Sequence, residues 1–283
     1  MRIEKRVQGV RAFVQAARRQ NKSVGLVPTM GAFHEGHLAL IRRSCGDNDS
    51  TVVSIFVNPA QFGPGEDFAA YPRDLERDLV LAERTGATFM FTPEPGEVYA
   101  DDFSTWVTVE QVSEGLCGQY RPGHFRGVAT VVCKLFNIVQ PDRAYFGEKD
   151  YQQLQVVRRM VRDLDIPLDI ISVPTVREPD GLAMSSRNAY LSPAERRAAP
   201  RLYQALQAGA QAAAAGATGA EAVTAARQVL DTEPLLGVQY LAAVDPHTLA
   251  DKSNGLRPLL LAGAVLIGKT RLIDNIHING EGT

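Results

Sequence analysis

The sequence predicts an α/β fold: a Rossmann-like, doubly wound parallel sheet joined to a second, smaller α+β domain. Three observations carry this reading. Up to about residue 176, short apolar runs with β-branched residues and no charge alternate with amphipathic stretches, as parallel strands covered by helices on both faces require. Loops rich in glycine or polar residues follow three of those runs directly. After 176 the alternation gives way to an Ala-rich stretch and long apolar segments. A chain of 283 residues, at roughly 100–200 residues per domain, is expected to form two domains, 1–176 and 177–283, the second closing over the active site.

Positions 5–20 predict an amphipathic helix, 24–28 a strand and 34–43 a second helix. The basic start, MRIEKRVQGVRAFVQAARRQ, resembles an organelle transit peptide in charge, but it lacks Ser and carries Glu4, so an ordinary first helix is the reading. The run 51-TVVSIFV-57 predicts a buried strand. The loop 58-NPAQFGPGEDFAAYPRD-74 leads into a helix to about Thr85, and 87-ATFMFTP-93 predicts a short strand. Helices follow at 127–139 and 151–163, and strands at 143-RAYFG-147 and 168-LDIISVPTV-176. The second domain starts with helix across 193–229, in which 205-ALQAGAQAAAAGATGAEAVTAA-226 reads as helix filler. It ends in antiparallel strands within 238-VQYLAAVD-245 and 259-LLLAGAVLIGKTRLIDNIHI-278. No internal repeat is found.

Composition excludes several classes. Lys+Arg is 30 and Asp+Glu 32, a net charge of −2, which argues against broad nucleic-acid binding but leaves room for a local basic pocket. Cys45, Cys117 and Cys133 are odd in number and widely spaced, so neither a disulfide framework nor a structural zinc site is expected, and a cytoplasmic, reducing location is. No apolar run approaches the ~18 residues of a membrane span.

Ligands of doubly wound sheets bind at the carboxyl ends of the strands. PTMGAFHEGH, VNPAQFG and FGEKD each follow a predicted strand, and so can line one crevice. In 28-PTMGAFHEGH-37, His34 and His37 stand three apart; a zincin helix needs HExxH, four apart, and no third ligand is near. One reading is a helix amino terminus with incidental histidines. The other uses the free N–H groups and dipole of that terminus with two imidazole donors to hold a phosphate, Gly31 and Gly36 allowing close approach. HxGH after a first strand is the signature of nucleotidyltransferases that attack an α-phosphate. In 147-GEKDYQQL-154, Asp150 and Gln153 can form a capping box, or Lys149 can meet a triphosphate. The loop 181-GLAMSSRN-188 offers Ser185, Ser186 and Arg187 as donors. It parallels the KMSKS loop that partners HxGH, although Ala183 and Ser186 stand where its lysines would be. By contrast 263-GAVLIGKT-270 matches the P-loop pattern but lies among strand-like residues with no helix to follow. No GxGxxG occurs: 63-GPGEDF-68 lacks the third glycine.

Together PTMGAFHEGH, SIFVNPAQFGPGEDFAAYPRD, GHFRGVATVVCKLFNIVQPDRAYFGEKDYQQL, VPTVREPDGLAMSSRN and the terminal TRLIDN resemble the pantoate–β-alanine ligases, a branch of the HxGH nucleotidyltransferase superfamily, across nearly the whole chain. Phe33 departs from the expected Leu. The resemblance implies an enzyme that joins pantoate to β-alanine with ATP through pantoyl adenylate, releasing pyrophosphate and then AMP. It implies that Met30, Gly31, Ala32, Phe33, His34, Glu35, Gly36 and His37 hold ATP, with both histidines on phosphates. Gly147, Glu148, Lys149 and Asp150, then Met184, Ser185, Ser186 and Arg187, would hold ATP from other sides, and Val176 would touch adenine. Lys149, Ser185, Ser186 and Arg187 would stabilise the transferring phosphate, with Mg²⁺ bridging phosphate oxygens. Gln61 and Gln153 would bind pantoate, Gln61 also lying near β-alanine, and 63–74 would be a mobile gate. No protein-held metal is implied. A homodimer is expected, with no nucleic-acid or membrane partner. Two other readings stay open on the residues: a nucleotidyltransferase that leaves the nucleotidyl group on its product, and an ATP-binding module without chemistry.

Overall fold

The computed structural model describes residues 1–279. The chain divides into two compact units. The first comprises Met1–Ser113, Arg121–Glu148 and Val156–Pro174; the second comprises Glu114–Tyr120, Lys149–Gln155 and Thr175–Thr283.

In chain order the segments up to Val173 are β1 (Arg2–Glu4), α1 (Val7–Arg19), β2 (Val24–Thr29), α2 (Glu35–Asp47), β3 (Ser50–Ile55), α3 (Leu75–Thr85), β4 (Phe89–Phe91), α4 (Pro95–Val98), α5 (Cys117–Tyr120), α6 (His124–Val139), β5 (Arg143–Gly147), α7 (Tyr151–Asp163) and β6 (Asp169–Val173). The six strands form one parallel sheet in the order β1-β4-β3-β2-β5-β6. From β2 the chain winds outward to β3 and β4, then crosses back through α6 to β5 and β6 on the other side. The order reverses between β2 and β5, whose carboxyl ends flank the switch point where ligands of open sheets bind. This matches the doubly wound expectation.

The central strands are apolar on both faces because both are covered. Val24, Leu26, Val27, Val52 and Val53 are all fully buried, and on one face Val27 and Val53 pack with Phe33, Ile41, Met90 and Tyr145. Gly25 lets α2 lie close on β2: a Cβ there would stand 2.3 Å from Ser44 Oγ and 2.5 Å from Asn48 Nδ2. α2 extends four residues past the expected end, as far as Asp47, where Asn48 Nδ2 donates to the Ser44 carbonyl at 2.8 Å. β1 was not expected; three residues pairing along the edge strand β4 leave no periodic signal. β6 stops before Pro174, which has no N–H for the ladder.

In the second unit the Ala-rich stretch is three helices, α8 (Pro193–Ala198), α9 (Arg201–Ala214) and α10 (Gly219–Leu230). The single helical stretch expected over 193–229 is broken where Thr218 and Glu221 form a capping box. The alanines are more than filler. Ala205, Ala213, Ala222 and Ala226 are buried with Leu202, Leu206 and Leu261, and a Cβ on Gly209 would lie 2.6 Å from the Ala222 carbonyl oxygen. Small residues thus set how closely α9 and α10 pack. β7 (Leu236–Val244), β8 (Leu259–Ile267) and β9 (Thr270–Ile278) form an antiparallel sheet in that order.

One ion pair ties three segments of the first unit. Arg18 Nη1 meets Asp142 Oδ1 and Oδ2 at 2.9 and 2.6 Å, its Nη2 donates to the Gln140 carbonyl, and the Val24 N–H donates to Asp142 Oδ2 at 2.7 Å. Burial alone would raise the Asp142 carboxyl, but Arg18 and the Val24 N–H outweigh it and hold the group below its ordinary range. A carboxylate depressed by folding contributes stability above its unfolded pKa of ~3.9, and that stability is lost as pH falls through the lower folded value. Asp142→Asn should therefore melt below wild type at pH 7, with the gap closing as the pH is taken below about 4. A gap that persists unchanged at pH 3 would show that the charge is not the source.

Candidate active site

The loop from β2 into α2 is held by one buried carboxylate. Gly31 and Ala32 both have left-handed backbones, φ +85° and +53°. This aims successive N–H groups at Asp78 of α3: Ala32 N donates to Oδ2 and Phe33 N to Oδ1, each at 2.7 Å. Gly31 is required twice over, since a Cβ would also stand 2.9 Å from Asp78 Oδ2 and 3.1 Å from Ile55 Cγ2. Phe33, where the family pattern suggested Leu, is 1% exposed and fills the core beside Leu40 and Ile41. Asp78 is itself 1% exposed, and burial pushes its carboxyl up despite the two N–H donors. No sequence signal marks Asp78, an acid in an ordinary helical stretch.

The histidines cap α2 reciprocally. His34 is the N-cap, with extended backbone, and its Nδ1 accepts from the Gly36 N–H at 3.2 Å; His37 Nδ1 accepts from the His34 N–H at 3.4 Å. The rings lie 4.2 Å apart, centroid to centroid. A nitrogen that accepts an N–H carries no proton, so each neutral ring holds its proton on Nε2. The capping and phosphate readings are therefore compatible: capping with Nδ1 makes Nε2–H the donor, beside the positive end of the helix dipole. Glu35, in the first turn, pairs with Arg42. Among the described residues no group of three or more His, Cys, Asp or Glu side chains could hold a metal ion.

Gln61 ends a 3₁₀ turn, Pro59–Gln61, directly after β3. Asn58, 1% exposed, fixes it: its Nδ2 donates to Gln61 Oε1 at 3.0 Å and to the Gly127 carbonyl at 3.1 Å, and its Oδ1 accepts from Ala60 N and Tyr99 OH. Burial pushes the Tyr99 phenol up to about 12, so it remains a hydroxyl donor and sets which way the Asn58 amide points. Gln61 Nε2 then faces Met30 Sδ at 3.3 Å, which brings Met30 and Gln61 together. Gly127 of α6 permits this approach, for a Cβ there would stand 2.2 Å from the Ala60 carbonyl oxygen. Asn58 and Gly127 were quoted within motifs but assigned no role. In the 63–74 loop, Glu66 Oε1 and Oε2 accept from Arg121 Nε and Nη2 at 2.8 and 2.6 Å. Arg121 also donates to His124 Nε2, so His124 Nδ1–H donates to the Gln61 carbonyl at 2.9 Å.

The remaining candidates lie in the second unit, apart from Gly147 and Glu148. Glu148–Asp150 is a 3₁₀ turn running straight into α7. Lys149 is one-fifth exposed, with Nζ 3.4 Å from Asp150 Oδ1, and Gln153 is half-buried on α7. Val176 opens a tight hairpin: its carbonyl accepts from Met184 N at 3.0 Å, Arg177 bridges Ala183, and Gly181 turns the chain at φ +93°. Ala183 is 4% exposed, which explains the lack of a KMSKS-type lysine at a position with no room for charge. Ser185 caps a 3₁₀ helix, Ser186–Tyr190, its Oγ accepting from Arg187 N. Lys269 of the P-loop match sits in the two-residue turn between β8 and β9, with no helix after it.

Known proteins resemble this chain over nearly its whole length. A family model described as pantoate-beta-alanine ligase matches residues 2–277. The chain is 53% identical over 277 residues to the pantothenate synthetase of Moorella thermoacetica, covering 98% of each chain. It is similar to the crystal structure of pantoate-beta-alanine ligase (pantothenate synthetase) from Thermus thermophilus, with a TM-score of 0.95 at 50% identity over 99% of this chain and all of that one. It also resembles the Francisella tularensis pantoate-beta-alanine ligase, solved with beta-gamma ATP and beta-alanine, with a TM-score of 0.82 at 33% identity, covering 98% and 97% of the two chains.

Asp78 presents two acceptors to two N–H groups, and an asparagine in its place would present one. Asp78→Asn should therefore speed amide exchange at Ala32 or Phe33 by about 10–100-fold, the equivalent of a buried donor losing its partner. Both amides exchanging at the wild-type rate in the folded variant would contradict the tether.

Proposed function

This chain belongs to the pantoate-beta-alanine ligase family, and from that premise we propose that it condenses pantoate with β-alanine at the expense of ATP, giving pantothenate, AMP and pyrophosphate. The observation that carries the reading is the interlocked His34–His37 pair at the amino end of α2, beside the switch point of the sheet. A carboxylate is a poor electrophile because oxide is a poor leaving group. Its oxygen attacks the α-phosphorus of ATP, pyrophosphate leaves, and pantoyl adenylate forms. The amine of β-alanine then attacks the acyl carbon and AMP leaves.

The first step brings two anions together, and the donors answer that charge. His34 and His37 offer Nε2–H groups to the phosphates, and Met30, Gly31, Ala32, Phe33, Glu35 and Gly36 form the surrounding backbone. Lys149, Ser185, Ser186 and Arg187 supply cationic and hydroxyl donors for the transferring phosphate. Gly147, Glu148, Asp150, Val176 and Met184 line the nucleotide. These donors are imidazole, ammonium, guanidinium and hydroxyl, which suit phosphate; Mg²⁺ would ride on ATP's own oxygens and water, neutralising charge there.

Gln61 and Gln153 bind pantoate in this reading. Gln61 is supported by its fixed amide: Asn58 holds Oε1, so Nε2–H is the end offered to a substrate oxygen. Its present acceptor, the Met30 thioether, is weak and easily replaced. The 63–74 loop acts as a gate that keeps water from the acyl adenylate. A homodimer in a reducing cytoplasm fits the family and the three free cysteines.

The purified protein should exchange pyrophosphate into ATP when given pantoate alone, and should release AMP once β-alanine is added. In the same assay Lys149→Ala should lose about 100–1,000-fold, whereas Lys269→Ala, in a hairpin turn, should match wild type. Exchange that needs β-alanine would replace the two-step route with a concerted one. A nucleotidyl group retained on the product would favour a nucleotidyltransferase.

A further inference from the structure

The motif TRLIDN closes the chain's family resemblance without any role in the chemistry above. The register of β9 on β8 sets Asp274 opposite Gly263 and Asn275 opposite Ala262. Neighbouring strand residues normally face opposite sides, yet Asp274 and Asn275 are only 4% and 7% exposed.

Each makes a contact far along the chain. Asp274 receives the fork of Arg177, Nη1 to Oδ2 at 2.5 Å and Nη2 to Oδ1 at 3.0 Å. Arg177 Nη1 also donates to the Gly181 carbonyl at 3.1 Å, and its guanidinium lies 3.7 Å over the Tyr203 ring. Arg177 is thereby locked along its length, and it belongs to the hairpin whose outgoing strand delivers Ser185, Ser186 and Arg187. Asn275 Nδ2 donates to the Lys149 carbonyl at 3.0 Å. The Asn275 N–H in turn donates to Asp274 Oδ1 at 2.8 Å, which joins the two contacts into one network.

Stability is a poor explanation for this network. A buried Asp–Arg pair gives up much of its Coulombic gain as desolvation, and apolar replacements are often neutral or better. Such a pair does fix geometry, because a fork on a carboxylate has one favourable arrangement. Resting on the ligase reading above, we infer that Asp274 and Asn275 are positioning residues. Together they set Lys149 and the Ser185–Arg187 segment to a common frame, strand β9. Neither touches substrate. Asn275 acts through the Lys149 backbone, which sits in a single 3₁₀ turn. Asp274 acts through Arg177.

A donor misplaced by about 1 Å costs on the order of 100-fold in rate, and a donor that works in the transition state shows its loss in kcat and not in KM. Asn275→Asp is isosteric and replaces the donor by an acceptor facing the Lys149 carbonyl. In the folded variant it should lower kcat for pantoate-dependent exchange by about 10–100-fold, with KM for pantoate near wild type. In a Lys149→Ala background the same change should cost nothing further, because the group it positions is gone. Asn275→Leu, which presents no acceptor to that carbonyl, serves where the Asp variant does not fold and should show the same dependence on Lys149. Unchanged kcat in a folded variant would overturn the inference. So would a full loss repeated in the Lys149→Ala background, or unfolding of both variants, which would make Asn275 a structural residue. Wild type failing to exchange at all would instead overturn the ligase reading.

Discussion

The site depends on a reciprocal bond between two side chains three residues apart. At the amino end of α2, His34 caps the Gly36 N–H and His37 caps the His34 N–H, each through Nδ1. Serine and glutamate usually fill these two roles in a capping box. With imidazoles the box also has a chemical effect, since it uses up one ring nitrogen and leaves the proton on the other. Helix start, ring orientation and proton position are then one event. The helix dipole and the two ring tautomers are set before any phosphate arrives, so little reorganisation remains to be done on binding.

The surrounding structure fixes that event in place. Asp78 holds the preceding loop by two N–H groups, and the left-handed turn at Gly31 and Ala32 lets both reach it. Asn58 does the equivalent for Gln61, and a glycine in α6 makes room for it. In the second unit Asp274 and Asn275 play the same part for the hairpin at Arg177 and the turn at Lys149. In each case a buried polar side chain, fully engaged, holds a short irregular segment that carries the candidate donors. Such groups cost desolvation, and what they secure is geometry.

This division explains what could be read from the sequence. The sheet was legible because its strands are apolar on both faces and its helices on one, a periodicity that survives in one dimension. The loops were legible as candidates because HEGH and GEKD concentrate donors after strands and MSSRN concentrates them in a small polar loop. The supporting groups were not. Asp78 looks like any acid on a surface helix until the turn at Gly31 brings two N–H groups to it. Asn58 and Gly127 lie within quoted motifs, but their roles rest on contacts 69 residues apart. Cys117 carried a redox-compartment argument and no more, yet its N–H is held by Gln152 of α7, 35 residues on. The Ala-rich stretch misled for a related reason: composition reports helix, while the tight crossing of α9 on α10 appears only when Gly209 meets Ala222. The edge strand β1 was too short for any period to show.

The interlock of the two histidines is accessible to a direct observation. Long-range ¹H–¹⁵N correlation spectra of the ligand-free protein, with His34 and His37 assigned by substitution and recorded above the pH where the rings titrate, distinguish the two neutral tautomers. Both rings should carry the proton on Nε2, with Nδ1 showing the signature of an unprotonated acceptor. A proton on Nδ1 in either ring would contradict the reciprocal cap, because that nitrogen could not then accept from the helix amino terminus.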